Sequence, residues 1–370
     1  MHSVRRIETE SERASVYAFR YRIYVQELAM TSEADHERKW LRDEFDDYAT
    51  SFAVFDGQQV LGSLRMLFLD DLPDISELVE KFALTPAIDA LGTTAIATTS
   101  RFILDARLRH GKVIFRLMRA AFAAARERGV RLNYGDCSPH LLPFYEHLGY
   151  RRYTKGYNDT LYGYKIPILM LVGDQLQFQT MRSPLARLAA QGEHDAQARD
   201  WFARTYPAYV AVTSAAHIEE GAFLDLLAER VASDPLHKVS LLRGLTREQA
   251  DSFLAQATLI ELQENDYIIR EGAIDETLYV LLRGLAEVRL AGKQGPPLAV
   301  IGEGDTFGEI GFLTAVPRTA DVVAVKPSQV LVLSSEFLSR FISTQAEIGA
   351  QVLLNLSREL ASRLAVSGRH

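Results

Sequence analysis

The chain has 370 residues, a length that suggests two domains with a connector between them. Hydrophobic residues make up 48% and charged residues 24%, so a wholly disordered chain is excluded. The 41 Lys and Arg residues against 48 Asp and Glu leave a net charge of −7, which argues against a general nucleic-acid binder. The single cysteine, Cys137, excludes an intrachain disulfide framework and a zinc site built from cysteines, and we expect no metal.

The start of the chain lacks the apolar core of a signal peptide, and the apolar stretch 166–172 is too short to span a bilayer. We therefore expect a cytoplasmic protein without a transmembrane segment. The texture of the sequence changes twice along the chain. It predicts an α/β domain over 1–174, a helical connector over 175–239, and a strand-rich, glycine-punctuated domain with C-terminal helices over 240–370.

In the first domain, apolar and β-branched runs predict strands at 51–55, 60–68, 95–104 and 131–137. Residues 112–128 predict a helix, because their apolar side chains recur on one face and Gly129 follows where a terminating glycine belongs. A further short helix and a closing strand follow from about 141 onward. This order of strands and helices predicts an α/β fold with a mixed sheet.

The run Phe144-Tyr145-Glu146-x-x-Gly149-Tyr150 resembles the end of the GNAT acyltransferase fold. In that superfamily, a tyrosine at this position protonates the departing thiolate, so the resemblance assigns this catalytic role to Tyr145. A tyrosine packed in the core is the alternative interpretation.

GNAT enzymes bind the coenzyme A pyrophosphate with an Arg/Gln-x-x-Gly-x-Gly/Ala loop, which resembles 108–113 here. Arg109, Gly111 and Lys112 would form this acyl-donor loop, but only its middle glycine is kept. Leu108 replaces the basic or amide residue, and Val113 replaces the last small one. The departures favour a long-chain acyl donor, carried by coenzyme A or by acyl carrier protein.

The first 105 residues resemble acyl-homoserine lactone synthases and their relatives, the N-acyl amino acid synthases. Seven positions characteristic of these enzymes are matched by Arg20, Tyr24, Asp43, Asp46, Arg65, Ser100 and Arg101. Arg101 is the strongest catalytic candidate, and the other six are expected to bind substrate. The alternative is an internal network of salt bridges that shapes an N-terminal lid.

Two departures bear on the acceptor. Met30 stands where the lactone synthases carry a tryptophan, and Thr98 stands where they carry a glutamate. These changes argue against S-adenosylmethionine and favour an amino acid or another primary amine. Such an amine must lose a proton before it attacks a thioester, and Asp136 is the candidate general base. We expect Cys137 to be a buried thiol.

The connector is too long and too apolar to be idle. Its aromatic residues, among them Trp201, Phe202 and Tyr206, need surfaces that cover them. Either these helices form a small subdomain packed onto one domain, or they touch both domains and couple them.

Residues 302–313, followed by 317–320, combine glycines with one acid and one base. Glycines let the backbone approach a ligand closely, Arg318 offers a fork of donors for a phosphate, and Glu309 offers an acceptor for a sugar hydroxyl. This pattern resembles the phosphate-binding cassette of cyclic nucleotide-binding domains, and upstream Glu271-Gly272 and Gly284 agree. The resemblance implies that Glu309 binds the ribose and Arg318 the cyclic phosphate. It lines the same pocket with Gly308, Ile310 and Thr319.

Alternatives remain at this pocket. In a degenerate β-roll, Glu309 and Arg318 would pair with each other. The hydroxyl of Thr319 fits either a guanine amino group or the phosphate, and cyclic AMP is preferred over cyclic GMP as the ligand. The helices over 337–364 carry an apolar stripe that would close over the base, pair two subunits in a homodimer, or pack on their own domain.

Together these features identify the chain as a GNAT-superfamily N-acyltransferase fused to a C-terminal β-roll, or jelly-roll, cyclic nucleotide-binding domain. The expected reaction moves a fatty acyl group to a small-molecule amine under control of the nucleotide. The rivals are a cyclic AMP-regulated protein lysine acetyltransferase and a non-catalytic cyclic nucleotide sensor.

Overall fold

The structure is a computed structural model that describes residues 2–28, 34–108, 113–159, 163–210, 235–254, 257–292, 295–314 and 316–367. Four residues singled out from the sequence, Met30, Arg109, Gly111 and Lys112, lie outside the described residues. Within the described part of the chain, no helix is both long enough and apolar enough to cross a bilayer.

The chain folds into two compact units that are not contiguous in sequence. The first unit contains Met1–Cys137, Phe144–Thr154 and Pro167–Val212, and the second contains Ser138–Pro143, Lys155–Ile166 and Thr213–His370. Two short segments from the N-terminal half of the chain therefore belong to the unit that the C-terminal half builds.

The first unit is organised around a mixed sheet. Its strands are β1 Ser3–Arg6, β2 Thr50–Asp56, β3 Gln59–Phe68, β4 Ile96–Leu104, β5 Leu132–Cys137, β6 Arg151–Arg152 and β8 Gly163–Leu171. The first residues of β8, up to Ile166, are assigned to the second unit. They lie in the order β1-β2-β3-β4-β5-β8-β6. Strands β1 to β4 pair antiparallel, and β4 pairs parallel with β5. The predicted mixed sheet is confirmed.

Helices cover this sheet. They are α1 Glu10–Tyr21 with a π-helical extension Arg22–Glu27, α2 Ser76–Phe82, α3 Thr85–Leu91, α4 Val113–Glu127, α5 Leu142–Leu148, α6 Gln175–Thr180, α7 Ala186–Ala189 and α8 Ala196–Thr205. The predicted long helix is confirmed as α4, which buries Leu117, Met118 and Phe122 and packs against β1, β2 and β3. Gly129, with φ +71°, follows its end as predicted.

Of the described connector residues, 175–210 belong to the first unit, whereas 235–239 belong to the second. Trp201 and Phe202 of α8 are buried in one core with Leu67, Tyr134 and Tyr153. Burying such aromatic surface stabilises the unit by a few kcal/mol, at about 25 cal/mol per Å². Residues 211–234 lie outside the described residues.

The second unit contains two antiparallel sheets. Its strands are β7 Tyr157–Asp159, β9 Thr258–Leu262, β10 Tyr267–Ile269, β11 Thr277–Arg283, β12 Ala286–Arg289, β13 Ala299–Ile301, β14 Thr306–Phe307, β15 Asp321–Ala324 and β16 Ser328–Ser334. The sheets have the orders β10-β15-β12-β13 and β14-β11-β16-β9, and β7 forms a hairpin with the first half of β8. This confirms the predicted β-roll.

The helices of the second unit are α9 Pro235–Lys238, α10 Arg247–Leu254, α11 Glu309–Thr314, α12 Ser335–Thr344 and α13 Ala346–Ser367. Along α13, Ile348, Val352 and Leu356 are buried in the core of their own unit. Leu364, the last member of the predicted stripe, is 70% exposed. The stripe therefore packs on its own unit over the first half of the helix.

Candidate acyltransferase site and nucleotide pocket

The charged residues predicted near the N-terminus form one network of ion pairs. Its inner pair, called the sealed pair below, is closed to solvent. Arg20 of α1 donates from Nη1 to Asp46 Oδ1 at 2.7 Å, and the two side chains are 0% and 1% exposed. Asp46 also accepts a hydrogen bond from the Asp43 backbone at 3.1 Å, which caps the short 3₁₀ turn Glu44–Asp47. The Arg20–Asp46 pair is closed to solvent in this structure, and the substrate-binding role expected for both residues stays a prediction.

The outer part of the network is partly open. Asp43 accepts hydrogen bonds from Arg65 and, at 2.8 Å, from Arg101, while Arg65 Nε donates to Ser100 Oγ at 3.0 Å. Ser100 is the cross-strand partner of Arg65 between β4 and β3. Burial opposes the charge on Asp43, but Arg65 and Arg101 outweigh it and hold its pKa at about 2. Asp43 is therefore an ionised carboxylate at any ordinary pH.

Arg101 occupies a strained backbone position. Its φ is +52°, in the left-handed region that residues with a side chain rarely adopt, and it lies within strand β4. Such strain costs on the order of 1–3 kcal/mol and tends to occur at functional sites. Its guanidinium carbon lies 5.7 Å from the centre of the Tyr24 ring, and Tyr24 is buried. The strain marks Arg101 as the member of the network with the best claim to function.

Two candidate catalytic residues lie on strands β4 and β5, in the parts of these strands that follow their paired residues. The parallel register of β4 and β5 runs from Ile96↔Leu132 to Thr98↔Tyr134. Both strands continue past it, β4 to Leu104 with Arg101, and β5 to Cys137 with Asp136. Thr98, at the position where the lactone synthases carry a glutamate, is a buried residue of β4.

Tyr145 is a buried residue of α5, surrounded by aromatic rings. The ring centroids of Phe102, Phe144 and Tyr150 lie 6.4, 5.4 and 5.4 Å from its own. Burial, with smaller effects from Cys137 and other neighbours, raises the pKa of Tyr145 well above its ordinary value. The phenol therefore stays protonated over the whole physiological range, which suits a proton donor and equally suits a packed core residue.

The candidate base Asp136 has a partner that the sequence did not suggest. Lys81 Nζ of α2 lies 3.1 Å from Asp136 Oδ2, and both side chains are partly exposed. Cys137 is buried, as predicted. Only the contact across the fold reveals Lys81, since it lies in a helix that carries no recognisable motif.

In the second unit, Arg318 is a buried residue, and each of its three guanidinium nitrogens donates to another group of the protein. Its Nε donates to Asp275 at 3.0 Å, Nη1 donates to the Gly308 carbonyl at 2.6 Å, and Nη2 donates to Asp275 and to the Thr277 carbonyl. A Cβ at Gly308 or at Gly311 would lie 2.9 Å from Arg318 Nη1, so both glycines make room for the guanidinium. Burial opposes the charge on Asp275, but Arg318 outweighs it and keeps the pKa of Asp275 below its ordinary value.

Glu309 and Arg318 do not pair with each other, in contrast to the expectation for a degenerate roll. Glu309, at the start of α11, accepts a hydrogen bond from Arg363 Nη1 of α13 at 2.6 Å. Arg363 also donates to Glu359 at 2.9 Å and to the Thr306 carbonyl. The predicted cassette residues Ile310 and Thr319 are both exposed.

Sequence inspection missed Asp275 and Arg363. A signal existed for each residue. Asp275 stands two residues before strand β11 and accepts from the Thr277 backbone at 3.1 Å, a usual role for aspartate at a strand start. Arg363 follows Glu359 by one helical turn, the spacing of an ion pair on a helix surface.

Comparison with known proteins identifies a family for a part of each half of the chain. A family model described as N-acyl amino acid synthase FeeM matches residues 15–171, and a model of the cyclic nucleotide-binding domain matches 259–345. A CRP-like cAMP-activated global transcriptional regulator from Mycobacterium tuberculosis is 22% identical over 130 residues, which cover 34% of this chain and 57% of that protein. A cGMP-dependent protein kinase from Plasmodium berghei is 30% identical over 89 residues, which cover 24% of this chain and 10% of that protein.

The aligned parts thus span between a tenth and somewhat more than half of these two relatives. Among solved structures, a cyclic nucleotide-binding domain from Methylobacillus flagellatus has a TM-score of 0.36 and 22% identity, covering 44% of this chain and 86% of its own. With the mixed sheet of the first unit and the β-roll of the second, the two family matches lead to one assignment. Residues 15–171 are an N-acyl amino acid synthase domain, an acyltransferase, and residues 259–345 are a cyclic nucleotide-binding domain in the same chain.

Proposed function

We propose that the protein transfers a fatty acyl group from a thioester to the amino group of an amino acid, under control of a cyclic nucleotide. The observation that carries the proposal is the partly open pair of opposite charges formed by Asp43 and Arg101. Their side chains are 21% and 19% exposed, so both are within reach of a small molecule.

An amino acid presents a positive ammonium group and a negative carboxylate close together. Asp43 would bind the ammonium group, and the guanidinium of Arg101 would bind the carboxylate with two parallel hydrogen bonds. The network contains three arginines, Arg20, Arg65 and Arg101, and two aspartates, Asp43 and Asp46. Its net charge is thus 3 − 2 = +1, which favours an acceptor that carries an anionic group over a simple amine.

The transfer forms a C–N bond and breaks the thioester C–S bond, and three protons must move. The ammonium group loses one proton to become a nucleophilic amine and a second as the amide forms. Asp136 would accept the first, with Lys81 holding that carboxylate in place at 3.1 Å, and the second would leave to water. The departing thiolate gains a proton, which Tyr145 would donate. The raised pKa of Tyr145 keeps the phenol protonated at neutral pH, so a proton is present beside the thiolate when it departs.

The donor would be a long-chain acyl thioester on acyl carrier protein or coenzyme A. Leu108 and Val113, which flank the expected pyrophosphate loop, are both buried apolar side chains. Neither side chain can offer a hydrogen bond to a pyrophosphate, so free coenzyme A should bind weakly. The acyl tail would compensate, since each buried CH₂ contributes roughly 0.8 kcal/mol.

Cyclic AMP would be the regulatory ligand, ahead of cyclic GMP. Arg318 would bind its phosphate, and Glu309 its ribose, within the cassette formed with Gly308, Ile310 and Thr319. Because Asp275 and Arg363 hold these two residues, a ligand must exchange contacts with both. This exchange supports a change in the unit between its free and bound states.

Acyl-thioester consumption by the full chain tests the proposal, with amino acids, simple amines and protein lysines offered as acceptors, each with and without cyclic AMP or cyclic GMP. Turnover with amino acids and a response to nucleotide are expected. Acylation of proteins alone would favour a lysine acetyltransferase, and nucleotide binding without any turnover would favour a sensor.

A further inference from the structure

Three polar side chains of the first unit form a buried hydrogen-bond network next to Tyr145. Thr99 of β4 donates from Oγ1 to Asn133 Oδ1 of β5 at 3.0 Å. Asn133 in turn donates from Nδ2 to the Tyr150 hydroxyl at 3.0 Å. All three residues are buried, and the network carries no charge. It therefore links two strands of the sheet to the segment that follows α5.

The network joins the two central strands at the end of their paired register. That register runs as far as Thr98↔Tyr134, and Thr99 is the next residue of β4. Arg101, which lies in the proposed acceptor site, follows Thr99 by two residues on the same strand. The bond between Thr99 and Asn133 thus holds the strands together immediately before the residues proposed for the reaction.

Tyr150 is connected to Tyr145 in two ways. Its backbone N–H donates to the Tyr145 carbonyl at 3.0 Å, past the end of α5. Its ring centroid lies 5.4 Å from that of Tyr145, with the two ring planes at 83°. Gly149, just before Tyr150, has a φ of +110°, a conformation that glycine adopts freely. The hydroxyl of Tyr150 therefore anchors to the sheet a residue whose backbone and ring both contact Tyr145.

We propose that Thr99, Asn133 and Tyr150 are positioning residues that hold the phenol of Tyr145 at the place where the thiolate departs. Buried polar groups are costly unless they are hydrogen-bonded, but a satisfied network specifies one arrangement of the elements it joins. Proton transfer requires donor and acceptor atoms about 2.6–3.2 Å apart, so a displacement of about 1 Å costs about a hundredfold in rate. This inference rests on the proposed role of Tyr145 as proton donor and adds what keeps it in place.

The identity of the leaving group tests the inference. An alkyl thiolate, such as that of coenzyme A, needs a proton as it departs, whereas an aryl thiolate is a weaker base and leaves with little help. We therefore compare kcat/KM for an alkyl and an aryl thioester of the same acyl chain. Tyr145→Phe should lose about a hundredfold with the alkyl thioester and less than about threefold with the aryl thioester. Thr99→Val, which keeps the shape and loses the hydroxyl, should show the same pattern, with a loss of about ten- to hundredfold for the alkyl thioester.

Three further variants separate positioning from a general loss of stability. Thr99→Ser keeps the hydroxyl and should bring the alkyl thioester back to within about threefold of wild type. Tyr150→Phe loses its hydroxyl alone and should resemble Thr99→Val, which it replaces if the valine variant fails to fold. The matched control is Tyr153→Phe, which removes another buried hydroxyl, one that donates to the Phe82 carbonyl at 2.9 Å. This control should leave the ratio between the two thioesters unchanged.

The possible failures are distinguishable. If wild type uses neither thioester, the proposed function is wrong. If Tyr145→Phe does not discriminate between the thioesters, the proposed role of Tyr145 is wrong. If Tyr145→Phe discriminates and a folded Thr99→Val or Tyr150→Phe variant does not, the inference about the network is wrong. The double variant of Thr99→Val and Tyr145→Phe should be no slower than Tyr145→Phe alone, and additive losses would contradict the inference equally.

Discussion

Each unit contains a buried arginine paired with an aspartate, and the two pairs differ in one respect. In the first unit, Arg20 and Asp46 are 0% and 1% exposed, so water reaches neither partner. In the second unit, Arg318 is 3% exposed, but its partner Asp275 is 25% exposed. Both arginines are closed to solvent, and only the second of these two pairs has a carboxylate that solvent reaches.

From this difference we expect a structural role for the Arg20–Asp46 pair and a binding role for the Arg318–Asp275 pair. A sealed pair must stay together, because either partner alone would be an uncompensated buried charge. A pair with an accessible carboxylate can open, because water or a ligand can take over part of each charge. The Asp43–Arg101 pair, with both side chains about one fifth exposed, falls with the second kind.

The largest expected effect comes from breaking the sealed pair. Asp46→Ala leaves Arg20 charged and buried, which should lower the free energy of unfolding by about 3–5 kcal/mol. Urea unfolding at neutral pH measures this value. In the control Asp47→Ala, the replaced side chain is 62% exposed, and the loss should stay within about 1 kcal/mol. Equal losses in the two variants would remove the distinction between sealed and open pairs.

Removing Arg318 from the Arg318–Asp275 pair should weaken the binding of cyclic nucleotides. Arg318→Ala removes charge-assisted hydrogen bonds to the cyclic phosphate, which contribute on the order of 1.5–3 kcal/mol, or ten- to hundredfold in affinity. Calorimetry with cyclic AMP and cyclic GMP measures the change, with Arg289→Ala on the exposed face of β12 as control. Unchanged affinity for both nucleotides in a folded Arg318→Ala variant would contradict the assignment of the cassette.

The Asp43 carboxylate predicts a pH dependence of stability. Its pKa is depressed from 3.8 to about 2 in the folded protein, so its contribution is present above pH 3.8 and is lost as the pH falls through about 2. The shift corresponds to roughly 2 kcal/mol. Urea unfolding between about pH 5 and pH 2 should show a smaller acid loss in Asp43→Asn than in wild type. A parallel loss in both proteins would show that Asp43 is not held by Arg65 and Arg101.

The smallest expected effect tests whether Arg101 recognises a carboxylate by its shape. Arg101→Lys keeps the charge but loses the planar fork, so the KM for the amino acid should rise roughly tenfold, with a smaller change in kcat. Steady-state kinetics with a varied acceptor give the split. Arg38→Lys, at a side chain that is 69% exposed, is the matched control. A loss confined to kcat would place Arg101 outside the acceptor site.

The sequence determined the features that depend on neighbours along the chain. Helix α4 and its terminating Gly129 follow from periodicity and one glycine, and the β-roll follows from the resemblance to cyclic nucleotide-binding domains. The cassette is recognisable because Glu309 and Arg318 stand nine positions apart in one glycine-rich stretch. Resemblance in such stretches identified both domains.

The tertiary structure decided which charges meet. Arg20 finds Asp46 at a separation of 26 residues, Arg318 finds Asp275 at 43, and Glu309 finds Arg363 at 54. The periodicity of the sequence does not predict such partners, because each pairing depends on how distant elements pack and on whether they exclude water from the pair. For the same reason, only the fold shows that the segments on both sides of Tyr145 belong to the nucleotide-binding unit.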